Sequence, residues 1–276
     1  MTTELEAAPW TRIAATAQPW VYHHPLTDTD LAAVKATFDD QGFVIVRGAF
    51  TDEQLDELQA DLTAVHQASM RGELDSRHDA PEIEPKTPAI IDGLPFKNLV
   101  VYANQASTVA DRMIKDSAIS TVGPALMDGP CYLYDYDRHG VMYLDARGAS
   151  SYQGLSWHVD WESTRHLPIW PAVIFTINLD PTSPENGFLR MLPGSHRVDL
   201  DDRPPGFERI AGEVAVYCER GDLLFHHSHL LHSASRPSGD STVRRHIRGK
   251  WCPGDPIPAG MWDGHFDNSA TQRSGR

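Results

Sequence analysis

The chain has 276 residues and carries 24 Lys and Arg against 38 Asp and Glu, a formal net charge of −14. With 41% hydrophobic and 22% charged residues it is composed like a globular protein, which excludes disorder as its general state. The acidic balance argues against nucleic acid as a partner, no apolar run reaches the ~18 residues of a membrane span, and the opening MTTELEAAPW lacks the regions of a secretory signal.

These exclusions leave a soluble, cytoplasmic protein as the expectation, and its acidity favours a neutral or cationic small-molecule partner. Residues 1–26, with Pro9, Pro19 and Pro25, show no period and are expected to form a surface arm. From Thr27 the apolar positions Leu31, Val34 and Phe38 recur at helical spacing behind caps at Asp28 or Asp30. Gly42 ends that helix, and Phe43 to Val46 reads as a strand. The TDEQ stretch from Thr51 has the spacing of a capping box, and Leu55, Leu58, Leu62 and Val65 make the stripe of a second helix. Residues 71–96 read as a long exposed loop, and a further helical pattern covers about 107–127.

From Cys131 the character changes. Short β-rich runs (CYLYDY, VMYL, LSWHVDW, AVIFTINL, EVAVYC, DLLF, RRHIRGKW) alternate with Gly, Pro, Ser and Asp clusters. Helices followed by many short strands predict a mainly β fold with an N-terminal helical layer. The domain reading is one unit: arm to 26, helical layer 27–128, β core 129–253 and polar tail 254–276. The three cysteines, Cys131, Cys218 and Cys252, show no C-x-x-C spacing, which argues against a thiolate zinc site.

Two constellations carry chemistry. In Trp157-His158-Val159-Asp160-Trp161, strand alternation sends His158 and Asp160 to one side, giving an imidazole and a carboxylate for a metal. The same pair on a strand also serves as a plain hydrogen-bonded couple. Further on, His226, His227, His229 and His232 crowd seven positions, too many for one site. Most would sit in a bend or satisfy backbone and carboxylate groups. One distal histidine, His232, would complete the two-His-one-carboxylate set of non-haem Fe(II) oxygenases. An oxygenase of that kind that also takes 2-oxoglutarate needs a forked, permanently charged donor for its far carboxylate. Arg244 begins the next strand, Arg248 shares its face, and Arg245 points the other way.

The stretch DPTSPENGFLRMLPGSHR from Asp180 to Arg197 resembles the signature of the phytanoyl-CoA dioxygenase-like family of Fe(II)/2-oxoglutarate dioxygenases. WHVD at Trp157–Asp160, ENGFL to PGSH at Glu185–His196, GDLLF at Gly221–Phe225 and His232 followed by Arg244 keep the family's order, over roughly residues 30–252. The resemblance implies a double-stranded β-helix, or jelly roll. It implies iron on His158, Asp160 and His232, 2-oxoglutarate on Arg244, and dioxygen as the other co-substrate. Ser235 is the candidate serine beside the distal histidine, because position 234 is alanine. The interval from His232 to Arg244 is slightly longer than the family's, which makes Arg245 the rival. Where relatives often have a lysine stand Leu144 and Asp145, so Tyr143 is expected to take a co-substrate contact. Thr176 and Asn178 share a face of an otherwise apolar strand, and buried polar groups need partners, so Asn178 is a further candidate.

His196 in PGSH reads as part of a tight turn rather than a ligand. Trp157 and Trp161 read as core or lid, and residues 162–169 as the loop over the mouth. The reaction implied is hydroxylation of an unactivated C–H bond in specialised metabolism, with Asp160 favouring oxygenation over halogenation. The same ligands serve desaturation, epimerisation and ring closure. A zinc hydrolase and a metal-free binding module on the same scaffold are the readings from other classes.

Overall fold

The computed structural model describes residues 20–81, 83–115, 117–135, 140–147, 154–165, 167–198, 206–239 and 242–256. Most of the expected arm and tail therefore lies outside the described residues.

Helix α1 (Asp28–Gln41) starts on Thr27, not on the aspartates: the Thr27 side chain accepts from Asp30 N, and Asp30 returns the bond to the Thr27 amide. Gly42 closes it in the left-handed region at φ 84°. Helix α2 (Asp52–Met70) opens on the reciprocal Thr51/Gln54 box that its sequence announces. After α3 (Ala103–Ala106), the expected single helix is two, α4 (Thr108–Lys115) and α5 (Ala118–Leu126). Ser117 adopts an extended backbone and caps α5 by accepting from Ile119 N, so the first helix cannot run on. The stretch 71–96 is more ordered than a loop. It holds a hairpin, β3 (Ile90–Ile91) and β4 (Leu94–Pro95), and buries His78, Ala80 and Phe96.

Two β-sheets make the core. The larger holds β1 (Val21–His23), β2 (Phe43–Arg47), β5 (Leu99–Val101), β6 (Cys131–Leu133), β7 (Met142–Arg147), β9 (Val173–Asn178), β12 (Leu223–His227) and β14 (Val243–Pro253). Its order is β1-β2-β12-β9-β14-β7-β5, with β6 also on β14. The end of the expected arm is thus an edge strand, β1, paired in parallel with β2. The smaller sheet runs β11 (Val214–Val216), β10 (Leu189–Met191), β13 (His232–Ala234), β8 (Leu155–His158).

Alternation divides the large sheet between two environments. Val44, Val46, Phe175, Ile177, Leu223, Phe225 and Ile247 face the helices and pack on Val34, Phe38, Leu55, Leu58, Leu62 and Ile119. Phe43, Ile45 and Leu224 face inward, against Met191 and Val216 of the small sheet. The result is a jelly roll with a helical layer on one face, and the space between its sheets is the site. No helix among the described residues is long and apolar enough to cross a membrane.

Candidate metal centre

His158 ends β8 and stands directly across from His232 at the start of β13, with ring centroids 4.2 Å apart. The strand stops at His158, and Asp160 opens a short 3-10 turn (Asp160–Thr164). Val159 between them remains extended, so the alternation carries through and Asp160 comes to the same side. Each of the three offers one ligand atom, and these atoms lie within 4.8 Å of one another.

The two imidazoles are oriented by the backbone. Nδ1 of His158 donates to the Ser156 carbonyl at 2.7 Å, and Nδ1 of His232 donates to Leu230 O at 2.9 Å. Each ring therefore keeps its proton on Nδ1 and turns the Nε2 lone pair toward Asp160, 3.9 Å away in both cases. Burial pushes both pKa values down to about 4, so the rings are neutral and able to bind a metal near neutral pH. Burial alone would raise Asp160, but Arg248, His232 and His226 outweigh it and hold the carboxyl well below the usual range. His226 Nε2 donates to Asp160 Oδ2 at 2.9 Å, and the Arg248 guanidinium binds Oδ1.

Behind the triad, a cavity of about 70 Å³ opens between the sheets, room for about five waters. His158 and His232 stand on the small-sheet side; Thr176, Asn178, His226, Arg244, His246 and Arg248 line the large-sheet wall. Arg244 is buried there, at 7% exposure. Arg245 points away and forks onto Asp180 at 2.6 and 2.9 Å. Asn178 reaches the cavity with its amide donating to Asp222 O at 3.2 Å.

The sequence motifs act as braces. Asn186 donates to Pro181 O and to Val243 O, tying its loop to the first residue of β14. Gly187 follows at φ 89°, and a Cβ there would lie 2.9 Å from Arg244 Nη1. Ser195 accepts from Leu231 N at 2.9 Å, just before His232, while His196 donates to Asp39 O at 3.1 Å and takes no part in the triad. Arg47 forks onto buried Asp222 at 2.8 and 2.9 Å, fixing the turn that receives Asn178.

Two expected contacts are corrected. Tyr143 lies on the face of β7 opposite the cavity, buried in the helix-side core with its ring 5.5 Å from that of His66. Leu144 is the β7 residue that lines the cavity. Ser235 follows the end of β13 and is not a lining residue; parity from His232 puts Ala234 there instead. Two further histidines, His226 and His246, line the cavity. Alternate counting back from His232 reaches 226 by number, but a bend at 228–231 separates β13 from β12, so strand alternation gives no warrant for it. His246 was findable, because it alternates with Arg244 and Arg248 along β14. His227 and His229 belong to the bend: His227 Nδ1 accepts from His229 N, and His229 stacks on Trp161 at 5.2 Å. Trp157 is core, with Nε1 donating to Glu208 O at 2.6 Å.

A jelly roll with two histidines and one aspartate converging beside an internal cavity defines a class, the fold and donor arrangement associated with non-haem Fe(II) oxygenases. The model of the phytanoyl-CoA dioxygenase (PhyH) family matches residues 38–246, and the chain belongs to that family. The ectoine dioxygenase of Nocardia farcinica (strain IFM 10152) is 26% identical over 167 residues, 59% of this chain. That match spans 50% of the relative's own length. Among solved structures, AviO1 from Streptomyces viridochromogenes Tue57 aligns with a TM-score of 0.59 at 20% identity, over 85% of this chain and 100% of that one. EctD from S. alaskensis, crystallised with 2-oxoglutarate and 5-hydroxyectoine, gives 0.63 at 18% identity, over 85% and 80%. The non-heme alpha ketoglutarate dependent epimerase SnoN from nogalamycin biosynthesis gives 0.61 at 18%, over 85% and 95%. These structural likenesses are of fold.

Proposed function

We propose that the protein is an Fe(II)- and 2-oxoglutarate-dependent oxygenase that hydroxylates an unactivated C–H bond of a small molecule. The observation that carries this reading is the convergence of two backbone-oriented imidazoles and a carboxylate within 4.8 Å, beside a cavity whose far wall holds a buried arginine. Such a donor set fits a ferrous ion, which accepts imidazole nitrogen and carboxylate oxygen alike. Bound there, Fe(II) supplies dioxygen activation coupled to conversion of 2-oxoglutarate into succinate and CO2.

The residues have distinct tasks. His158 and His232 present Nε2 lone pairs that the Ser156 and Leu230 carbonyls keep aimed. Asp160 supplies the anionic donor, with His226 and Arg248 holding it in place. Arg244 receives the far carboxylate of 2-oxoglutarate, and its fork gives direction as well as charge. Asn178 and Thr176 stand beside it on the wall. Leu144, Leu155, Leu189 and Val216 make the remaining wall apolar. The cysteines are free thiols, as a reducing cytoplasm allows.

The test is anaerobic purification followed by metal analysis and a 2-oxoglutarate turnover assay. Bound iron with oxygen-dependent release of succinate supports the reading. Bound zinc, or full activity without oxygen, overturns it. Because SnoN, an epimerase, shares the fold, the product mass then separates hydroxylation, which adds an oxygen, from desaturation or ring closure, which removes hydrogen. Epimerisation leaves the mass unchanged.

A further inference from the structure

The inner face of β14 is a row of basic side chains in a chain of net charge −14. Arg244, His246 and Arg248 line the cavity, and Lys250 continues the row one alternation further, about 7 Å along the strand. Lys250 sits across from Ile174 of β9, while its neighbour Gly249 turns to Phe175 on the helix side. Arg248 is answered by Asp160, and Arg244 has the co-substrate. Lys250 has no such answer.

Its ammonium lies over two ring faces, 4.6 Å from the centroid of Tyr134 and 5.1 Å from that of Trp170. Those faces attract a cation but take none of its three N–H donors as an oxygen would. Among the described residues no oxygen accepts a hydrogen bond from it. The side chain is only partly exposed, and the surroundings of Tyr134 and Trp170 are apolar, with Leu167, Ile169 and Ile174. Alternation places Lys250 on the same strand face as Arg248, whose guanidinium binds Asp160, and burial lowers its pKa. A cation partly withdrawn from water, with no protein oxygen among the described residues accepting from it, attracts an anion, and low-dielectric walls strengthen the attraction.

We propose that Lys250 anchors an acidic group of the substrate, so that the enzyme acts on small organic acids, carboxylates or phosphate monoesters, held with the charged end against β14. This rests on the oxygenase reading above. Tyr134 and Trp170 then position the ammonium rather than consume it.

The experiment uses the iron-loaded protein with 2-oxoglutarate and a panel of carboxylic acids and phosphate monoesters, each paired with its primary amide or parent alcohol. Succinate release reports which compounds trigger turnover. Acids are expected to trigger it and their neutral partners not. Lys250→Met should raise the half-saturating concentration of an active acid roughly tenfold or more, because a charge-assisted bond is lost. Lys250→Arg should recover part of the loss, and Lys35→Met, at a surface pair with Asp39 and Asp128, should match wild type. Should Lys250→Met fail to melt cooperatively, the acid-against-neutral comparison in wild type decides alone. Equal response to neutral partners, an unchanged half-saturation in folded Lys250→Met, or silence of every acid while wild type still holds iron and turns over 2-oxoglutarate overturns the anchor. Wild type that holds no iron and turns over no 2-oxoglutarate fails the oxygenase reading itself, and the anchor with it.

Discussion

Each oxygen of Asp160 already has a partner, His226 on Oδ2 and Arg248 on Oδ1. A carboxylate oxygen has a second lone pair for a metal, so these partners orient the donor instead of occupying it. Groups that orient a ligand in this way commonly carry about 10–100-fold in metal affinity. His226→Ala should therefore weaken cobalt or iron binding by about that factor in a chelator competition, while His227→Ala and His229→Ala leave it unchanged. Loss of metal in His229→Ala with retention in His232→Ala would reverse the assignment of the distal ligand. A second comparison concerns adjacent arginines. Arg244→Lys keeps a charge but loses the fork; at about 1.5–3 kcal/mol for a charged hydrogen bond, 2-oxoglutarate should bind roughly 10- to 150-fold more weakly. Arg245→Lys should instead lower the melting temperature, because its fork holds Asp180, and leave co-substrate affinity nearly unchanged. This inward and outward pair was legible in the sequence, since period-two alternation is a property of any regular strand. The same rule, applied from His232 and from β7, points to Ala234 and Leu144; choosing Ser235 and Tyr143 followed side-chain chemistry over parity. His226 was opaque for another reason: its partner is 66 residues away, in the turn that follows a strand of the other sheet, and no local period encodes that distance.

At the scale of elements, local signals were legible and pairings were not. The reciprocal box at Thr51 and the stop at Gly42 rest on bonds within a few residues, so the chain spells them out. The parallel seat of β1 on β2 depends on a neighbour that the segment itself does not name, whereas the break between α4 and α5 rests on a local cap, Ser117 accepting from Ile119 N, that the apolar period runs straight through. The family motifs lie between these cases. ENG is readable as a pattern, yet its purpose appears only when Asn186 is seen to grip Val243 and Gly187 to leave space under Arg244. Gly187→Ala should thus cost on two counts. A Cβ would meet Ser235 O at 2.7 Å and Arg244 Nη1 at 2.9 Å, at a φ of 89° that L residues avoid. The backbone part alone is about 1–2 kcal/mol, or roughly 2–4 °C of melting temperature per kcal/mol in a chain of this size. Displacing Arg244 should also weaken 2-oxoglutarate. A calorimetric scan and a co-substrate titration read the two effects separately, and an unaltered titration would mean that the glycine serves the turn only.

For the molecule as a whole, the division of the site between the two sheets decides how its ligands act on stability. His158 and His232 belong to β8 and β13, already hydrogen-bonded neighbours in the small sheet, and Asp160 is two residues from His158. A metal on these three therefore joins parts that the fold has joined already. Arg244 belongs to β14 of the large sheet. A 2-oxoglutarate held by the metal at one end and by Arg244 at the other spans both layers of the roll. Apo protein should accordingly melt cooperatively, since Asp160 is satisfied by His226 and Arg248 without a metal. Cobalt, which binds without the redox complications of iron, should raise the melting temperature by mass action. At a hundred times its dissociation constant this is about 2.7 kcal/mol, or roughly 5–11 °C. Added 2-oxoglutarate should then give a second increment that depends on the metal being present. Arg244→Lys should keep the first increment and lose most of the second at the same co-substrate concentration; His232→Ala should lose both. If 2-oxoglutarate stabilises the metal-free protein as strongly as the metal-loaded one, the co-substrate does not bridge the sheets through this centre.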